Sequence, residues 1–220
     1  MMALADYAPP PHRRSLGRLT TPNEEEPIPD PARVEARAWT FEGLAVADPA
    51  TLERLLRAGA APDFAVLEGR IYRGWNHQPI TALTGRKFCK GFVRRGRETL
   101  GYNQVIRRDG RGPDGDWEPK LVAGRPVELG HFAVNRVADE PSSGLYDRYR
   151  RQGLFDYRVD RNAGRHLPLR MIRDFVALPE PDDHELLVGK AYLQLGFRWL
   201  NVFVTYFVLG HPRPIEDDPT

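Results

Sequence analysis

The sequence predicts an all-β fold, an antiparallel up-and-down barrel preceded by one short helix and a disordered N-terminal tail. Two observations point there. From about Phe64 onward, helical periodicity gives way to short runs of aromatic and β-branched residues separated by Gly, Pro and Asp. The intervals between those runs are too short for the crossover helices that parallel strands require. About nine consecutive strands then form a meander, and closing it removes the long edges that invite aggregation.

Taken in order, the chain opens with a stretch that cannot fold by itself. Residues 1 to about 35 hold seven prolines, the acidic triplet Glu24 to Glu26 and almost no aromatic residues, so they bury too little to offset chain entropy. The tail is assigned to 1–47, the barrel domain to 48–212 and a disordered C-terminus to 213–220. Asp48 suits a helix cap, Pro49 the first helical position and Gly59 a left-handed stop. Between them Leu52, Leu55 and Leu56 make an apolar stripe at spacings of three and four, the mark of a helix lying on something.

Strands are expected at about 66–75, 86–95, 99–107, 117–122, 130–137, 153–159, 168–178, 185–194 and 199–209. Alternation is visible where Phe88, Lys90 and Phe92 oppose Lys87, Cys89, Gly91 and Val93. It recurs where Leu100, Tyr102, Gln104 and Ile106 oppose Thr99, Gly101, Asn103 and Val105. Gly96-Arg97, the run from Asp109 to Gly115, and Ala123-Gly124 supply turns.

Composition narrows the chemistry. The chain has 220 residues, 41% of them hydrophobic, enough for a real core. Thirty-two cations against 30 anions leave +2, which argues against a polyanionic partner. The basic run Arg86, Lys87, Lys90, Arg94, Arg95 and Arg97, interleaved with Phe88 and Phe92, has the composition of a single-stranded nucleic-acid platform, but a charged strand face explains it more simply. One cysteine, Cys89, excludes an intrachain disulfide and a multi-cysteine zinc site and fits a reducing compartment. The N-terminus lacks the pattern of a secretory signal, so a cytoplasmic protein is expected. The most apolar run, Trp199 to Gly210, falls short of the roughly 18 residues of a membrane helix.

Catalytic signatures do not appear. The six histidines have no metal spacing, and His131, at a strand start, is the only one that suits a haem. Gly110-Arg111-Gly112-Pro113 lacks the Lys-Ser/Thr and the helix of a phosphate loop, and Ser15, Ser142 and Ser143 form no nucleophile elbow. No metal and no cofactor is expected.

The stretch Leu67-Glu68-Gly69-Arg70-Ile71-Tyr72-Arg73-Gly74-Trp75-Asn76, after a short helix and before a chain of strands, resembles the opening of lipocalin-like (calycin) barrels. It is similar to uncharacterised bacterial domains of the GXWXG type, as are Leu187 to Tyr192 and Tyr206 to Leu209. Here the motif reads G-x-x-Y-x-G, with one extra residue and Tyr72 in place of Trp. The likeness spans roughly 50–210 and implies a lipocalin-like barrel with an enclosed cavity for a small apolar ligand; it implies no known reaction.

Candidate site residues follow from strand positions. Tyr72, Trp75, Tyr102, Phe132, Tyr157, Tyr192, Trp199 and Tyr206 either fill the barrel or line a cavity. Of the polar strand residues Lys87, Lys90, Asn103, Asn135, Arg136, Asp156 and Lys190, half should meet water, and the register decides which half. Tyr72, Trp75, Asn103, Asn135 and Lys190 are taken as the lining of a site for a small apolar or amphipathic molecule, with Lys190 suited to a ligand carboxylate. Two alternatives stay open. One is an isomerase-, cyclase- or hydratase-type enzyme using Asp156 with Tyr102 or Lys190, and the other is a filled barrel that acts on protein partners.

Overall fold

A computed structural model describes residues 39–78, 85–196 and 200–215, with only the backbone at positions 165 and 166. The chain forms α1 (Phe41–Ala45), α2 (Pro49–Ala58), α3 (Phe64–Leu67), β1 (Arg70–Asn76), β2 (Lys87–Arg95), β3 (Glu98–Val105), β4 (Leu121–Val122) and β5 (Arg125–Pro126). It continues with β6 (Glu128–Arg136), α4 (Gly144–Arg148), β7 (Gly153–Asp156), β8 (Ile172–Ala177), β9 (Leu187–Gln194) and β10 (Asn201–Pro214). Eight strands close a barrel in the order β1-β10-β9-β8-β7-β6-β3-β2, every pair antiparallel. This is the expected up-and-down topology, and it is consistent with a lipocalin-like fold. Among the described residues no helix is long and apolar enough to cross a membrane.

Several boundaries differ from the sequence expectation for identifiable reasons. Asp63 accepts a hydrogen bond from the Ala65 N–H at 3.0 Å and caps α3, so the chain stays helical through Leu67 and the first strand begins at Arg70 rather than 66. The strand expected at 117–122 shrinks to β4, half of a two-residue ribbon with β5 whose turn, Ala123-Gly124, has both φ angles positive, as a primed hairpin turn requires. Residues 164–171 form a 3₁₀ segment, delaying β8 to Ile172. β10 runs on past Gly210 to Pro214 because its end pairs with the start of β1. Residues 1–38, most of the expected tail, lie outside the described residues, as do 216–220 and Trp199; residues 41–45, inside the expected tail, form α1 with Phe41 and Leu44 buried.

Asp48 caps α2 as expected, accepting from the Thr51 N–H at 2.9 Å. Gly59 closes the helix with φ −69, so it does not serve as a left-handed stop. The backbone crowds it instead: a Cβ there would stand 2.3 Å from the carbonyl oxygen of Leu178. The α2 carbonyls are met from the barrel, where Gln152 Nε2 donates to Leu56 O at 2.8 Å and to Gly59 O at 2.9 Å.

The strand period sorts the core into two layers. Tyr72, Phe88, Phe92, Phe132, Phe155, Tyr157 and Phe207 point inward, with Leu187 and Leu209, and are all buried. Leu154, Phe175, Val188, Tyr192, Tyr206 and Val208 point outward beneath α1 and α2, against Leu44, Leu52, Leu55 and Leu56. Burying each leucine stabilises the fold by about 2 kcal/mol, which is how a ten-residue helix persists. Inside, ring size is accommodated by glycine on the facing strand: a Cβ on Gly74, Gly101 or Gly189 would lie 2.2–2.3 Å from the ring of Phe88, Phe132 or Phe207. Phe132 stacks on Phe155 at 4.8 Å, and Phe92 closes on both. The interior is therefore filled by aromatic side chains.

Candidate functional site

Three polar arrangements stand out on this frame. The first is at the barrel centre. β2 aims Lys90 inward between Phe88 and Phe92, and β8 aims Asp174 inward, so that Lys90 Nζ lies 3.0 Å from Asp174 Oδ2 with side-chain exposures of 2% and 4%. Lys90 also donates to Tyr157 OH at 2.6 Å and to Asn103 Oδ1 at 2.8 Å, and Tyr157 donates to Asp174 at 2.9 Å. Asn103 Nδ2 in turn donates to the Gly130 carbonyl at 3.2 Å. Every ammonium proton has an acceptor, and five aromatic rings surround the charge at 4.7–5.4 Å. Burial pulls the ammonium below the ordinary lysine value while Asp174 works against it, and burial pushes the Tyr157 phenol well up. The cluster is saturated within the protein, as a structural plug would be.

The second lies on the outer face under α2. Glu53 of α2 accepts from Lys190 Nζ at 2.8 Å, Tyr206 OH at 2.7 Å and Tyr149 OH at 2.8 Å. The rings of Tyr149, Tyr192, Phe203 and Tyr206 stand 4.8–5.7 Å from the same ammonium. Burial alone would lower Lys190 and raise Glu53, but their contacts with each other and with the tyrosines reverse both, holding the carboxyl low and the ammonium high. This arrangement fastens the helix to the barrel wall.

The third is an open cleft on the rim, about 500 Å³, where the ends of β7 and β9 and the start of β8 meet the 3₁₀ segment 164–171. Leu167, Pro168 and Met171 are its apolar lining residues, and Arg158, Arg170 and Arg173 line it as well. Arg158 grips Asp156 with three contacts of 2.6–3.0 Å and reaches Glu140 at 3.5 Å. Arg173, 3% exposed, lies 3.4 Å from Asp156 and donates to the carbonyls of Arg170 and Ile172. Burial works to raise Asp156, yet Arg158 and Arg173 hold its carboxyl below the ordinary aspartate value. A larger hollow of about 840 Å³ lies beside the connection between β3 and β6, but its walls are largely exposed side chains such as Arg107, Lys120 and Leu121, and Arg107 is already paired with Glu118.

The structure places the residues selected from sequence on different faces. Tyr72 and Asn103 point inward, Tyr72 donating to the His184 carbonyl at 2.8 Å, its phenol pushed by burial up to about 12. Trp75 lies outward under the Arg86 guanidinium at 5.6 Å, Asn135 follows inward Val134 and so faces out, half-buried, and Lys190 belongs to the Glu53 cluster. Asn103 alone joins the central polar cluster. Asp156 sits on the rim, and Tyr102 covers Gly91 on the outside. His131 holds Asn162 through its backbone, and Cys89 is buried, its thiol pushed up to about 11 by burial. Asp174, Arg158, Arg170 and Arg173 were not singled out from sequence. For all but Arg158 the signal was present in Arg170-Met171-Ile172-Arg173-Asp174, where a strand carries opposite charges on successive residues and so must satisfy one on each face. Among the described residues no group of His, Cys, Asp and Glu could hold a metal ion.

A scan against protein-family models, a search of curated proteins and a search of solved structures each find no match to the chain.

Proposed function

We propose that the protein binds one small amphipathic molecule, seated in the rim cleft between segment 164–171 and the strand ends. The observation that carries this reading is the mixed lining, in which Leu167, Pro168 and Met171 stand together with Arg158, Arg170 and Arg173. An apolar floor supplies affinity without direction, and a few charged groups at its edge fix orientation; sites for small ligands are built this way, at volumes of roughly 300–1,000 Å³. The filled interior supports the rim over the barrel axis, because a ligand at Lys90 would have to displace the stacked rings of Phe132 and Phe155.

Native mass spectrometry of the protein with 1-decanol, decanoate and decyltrimethylammonium in turn tests the reading. It expects a single-ligand adduct with at least one of the three, weakened by Leu167→Asp. Leu167 is 58% exposed, so that substitution leaves the core intact. A protein that takes up none of the three contradicts the reading.

A further inference from the structure

We infer, resting on the rim-cleft reading, that the ligand is an amphiphile with a single negative charge, its carboxylate-type headgroup on Arg170 and its chain on Leu167, Pro168 and Met171. Among the described residues, the cleft's three arginines, Arg158, Arg170 and Arg173, stand against the two carboxylates that pair with them, Asp156 and Glu140, which leaves one positive charge. That surplus has an address. Arg158 is spent on both oxygens of Asp156, and Arg173 is held between Asp156 and two backbone carbonyls. Arg170, whose own carbonyl is one of those two, has no ion-pair partner among the described residues.

An arginine cannot relieve the mismatch by losing its proton. When a neutral molecule covers the cleft, the Arg170 guanidinium gives up part of its hydration and receives no counter-charge. A carboxylate restores the balance through two parallel N–H···O bonds, the geometry that a guanidinium fork matches best. The adjoining apolar side chains select against small inorganic anions, which gain nothing from covering them.

The test is isothermal titration of the intact protein with decanoate, 1-decanol and acetate at low ionic strength, where surface charge is least screened. Decanoate should bind about tenfold more tightly than 1-decanol, and acetate far more weakly than either. Arg170→Gln should erase the preference for decanoate over 1-decanol. Equal affinity of the native protein for decanoate and 1-decanol overturns the anionic assignment while the cleft reading survives. Retention of the decanoate preference in Arg170→Gln overturns it as well. Acetate binding as tightly as decanoate identifies a simple anion site and removes the amphiphile. If neither long-chain probe binds, the anionic assignment falls, and the cleft reading falls with it unless decyltrimethylammonium binds.

Discussion

Lys90 and Asp174, 84 positions apart in the chain, meet at 3.0 Å inside a barrel packed largely with aromatic rings. The pair shares Tyr157 and Asn103, so that two charges and two dipoles form one satisfied unit. Such a unit is costly to break and cheap to replace whole, because desolvation offsets most of the Coulomb gain.

Lys90→Met alone should therefore destabilise the protein by about 3–5 kcal/mol, leaving a buried carboxylate without its cation. The double variant Lys90→Met with Asp174→Leu should recover most of that loss. Urea unfolding of the two variants and the native protein checks the cycle; a double variant as unstable as the sum of the singles would show that the pair is not a unit.

Glu53→Gln should cost about 1–3 kcal/mol near neutral pH by weakening three hydrogen bonds at once. Because Glu53 is held below its unfolded value, its contribution is present above about pH 4.5 and is lost as pH falls through the lower folded value. Lys190, held high, contributes below about pH 10 and loses its share as pH rises through the folded value. Stability curves of native and Glu53→Gln protein should converge in acid and run parallel from about pH 6 to 9.

Gly189→Ala should destabilise by about 1–3 kcal/mol, since the new methyl would stand 2.2 Å from the Phe207 ring. Gly112→Ala, whose Cβ meets open space, should be near neutral. Adding Phe207→Leu to Gly189→Ala should relieve part of the strain, and thermal unfolding of the three variants reads the difference.

Gln152→Leu should lower stability by about 1–3 kcal/mol by stripping the donor from the carbonyls of Leu56 and Gly59. Hydrogen exchange should show the loss first in the last turn of α2. A variant whose α2 exchanges at the native rate would argue that the helix end is satisfied elsewhere.

The barrel was legible because strand alternation and turn glycines are local signals, and Phe88, Lys90 and Phe92 declare one face without tertiary context. Which face looked inward was not, because that depends on register and closure. Lys190 and Lys90 have similar sequence surroundings, and only pairing placed one under α2 and the other on the axis. The aromatic-over-glycine pairs were equally hidden, since Gly189 and Phe207 face each other only once β9 and β10 are joined. The cleft arginines were hidden for the same reason, since Arg158 and Arg173 share Asp156 only once β7 and β8 are paired.

The most direct test of the central claim is an amide-resonance titration of ¹⁵N-labelled protein with decanoate. Saturable shifts should be confined to Arg158, Leu167, residues 169–173, Gln194 and Gly196, with interior amides such as Phe88, Lys90 and Phe132 unmoved. Shifts centred on the interior amides, or none at all, would contradict that claim.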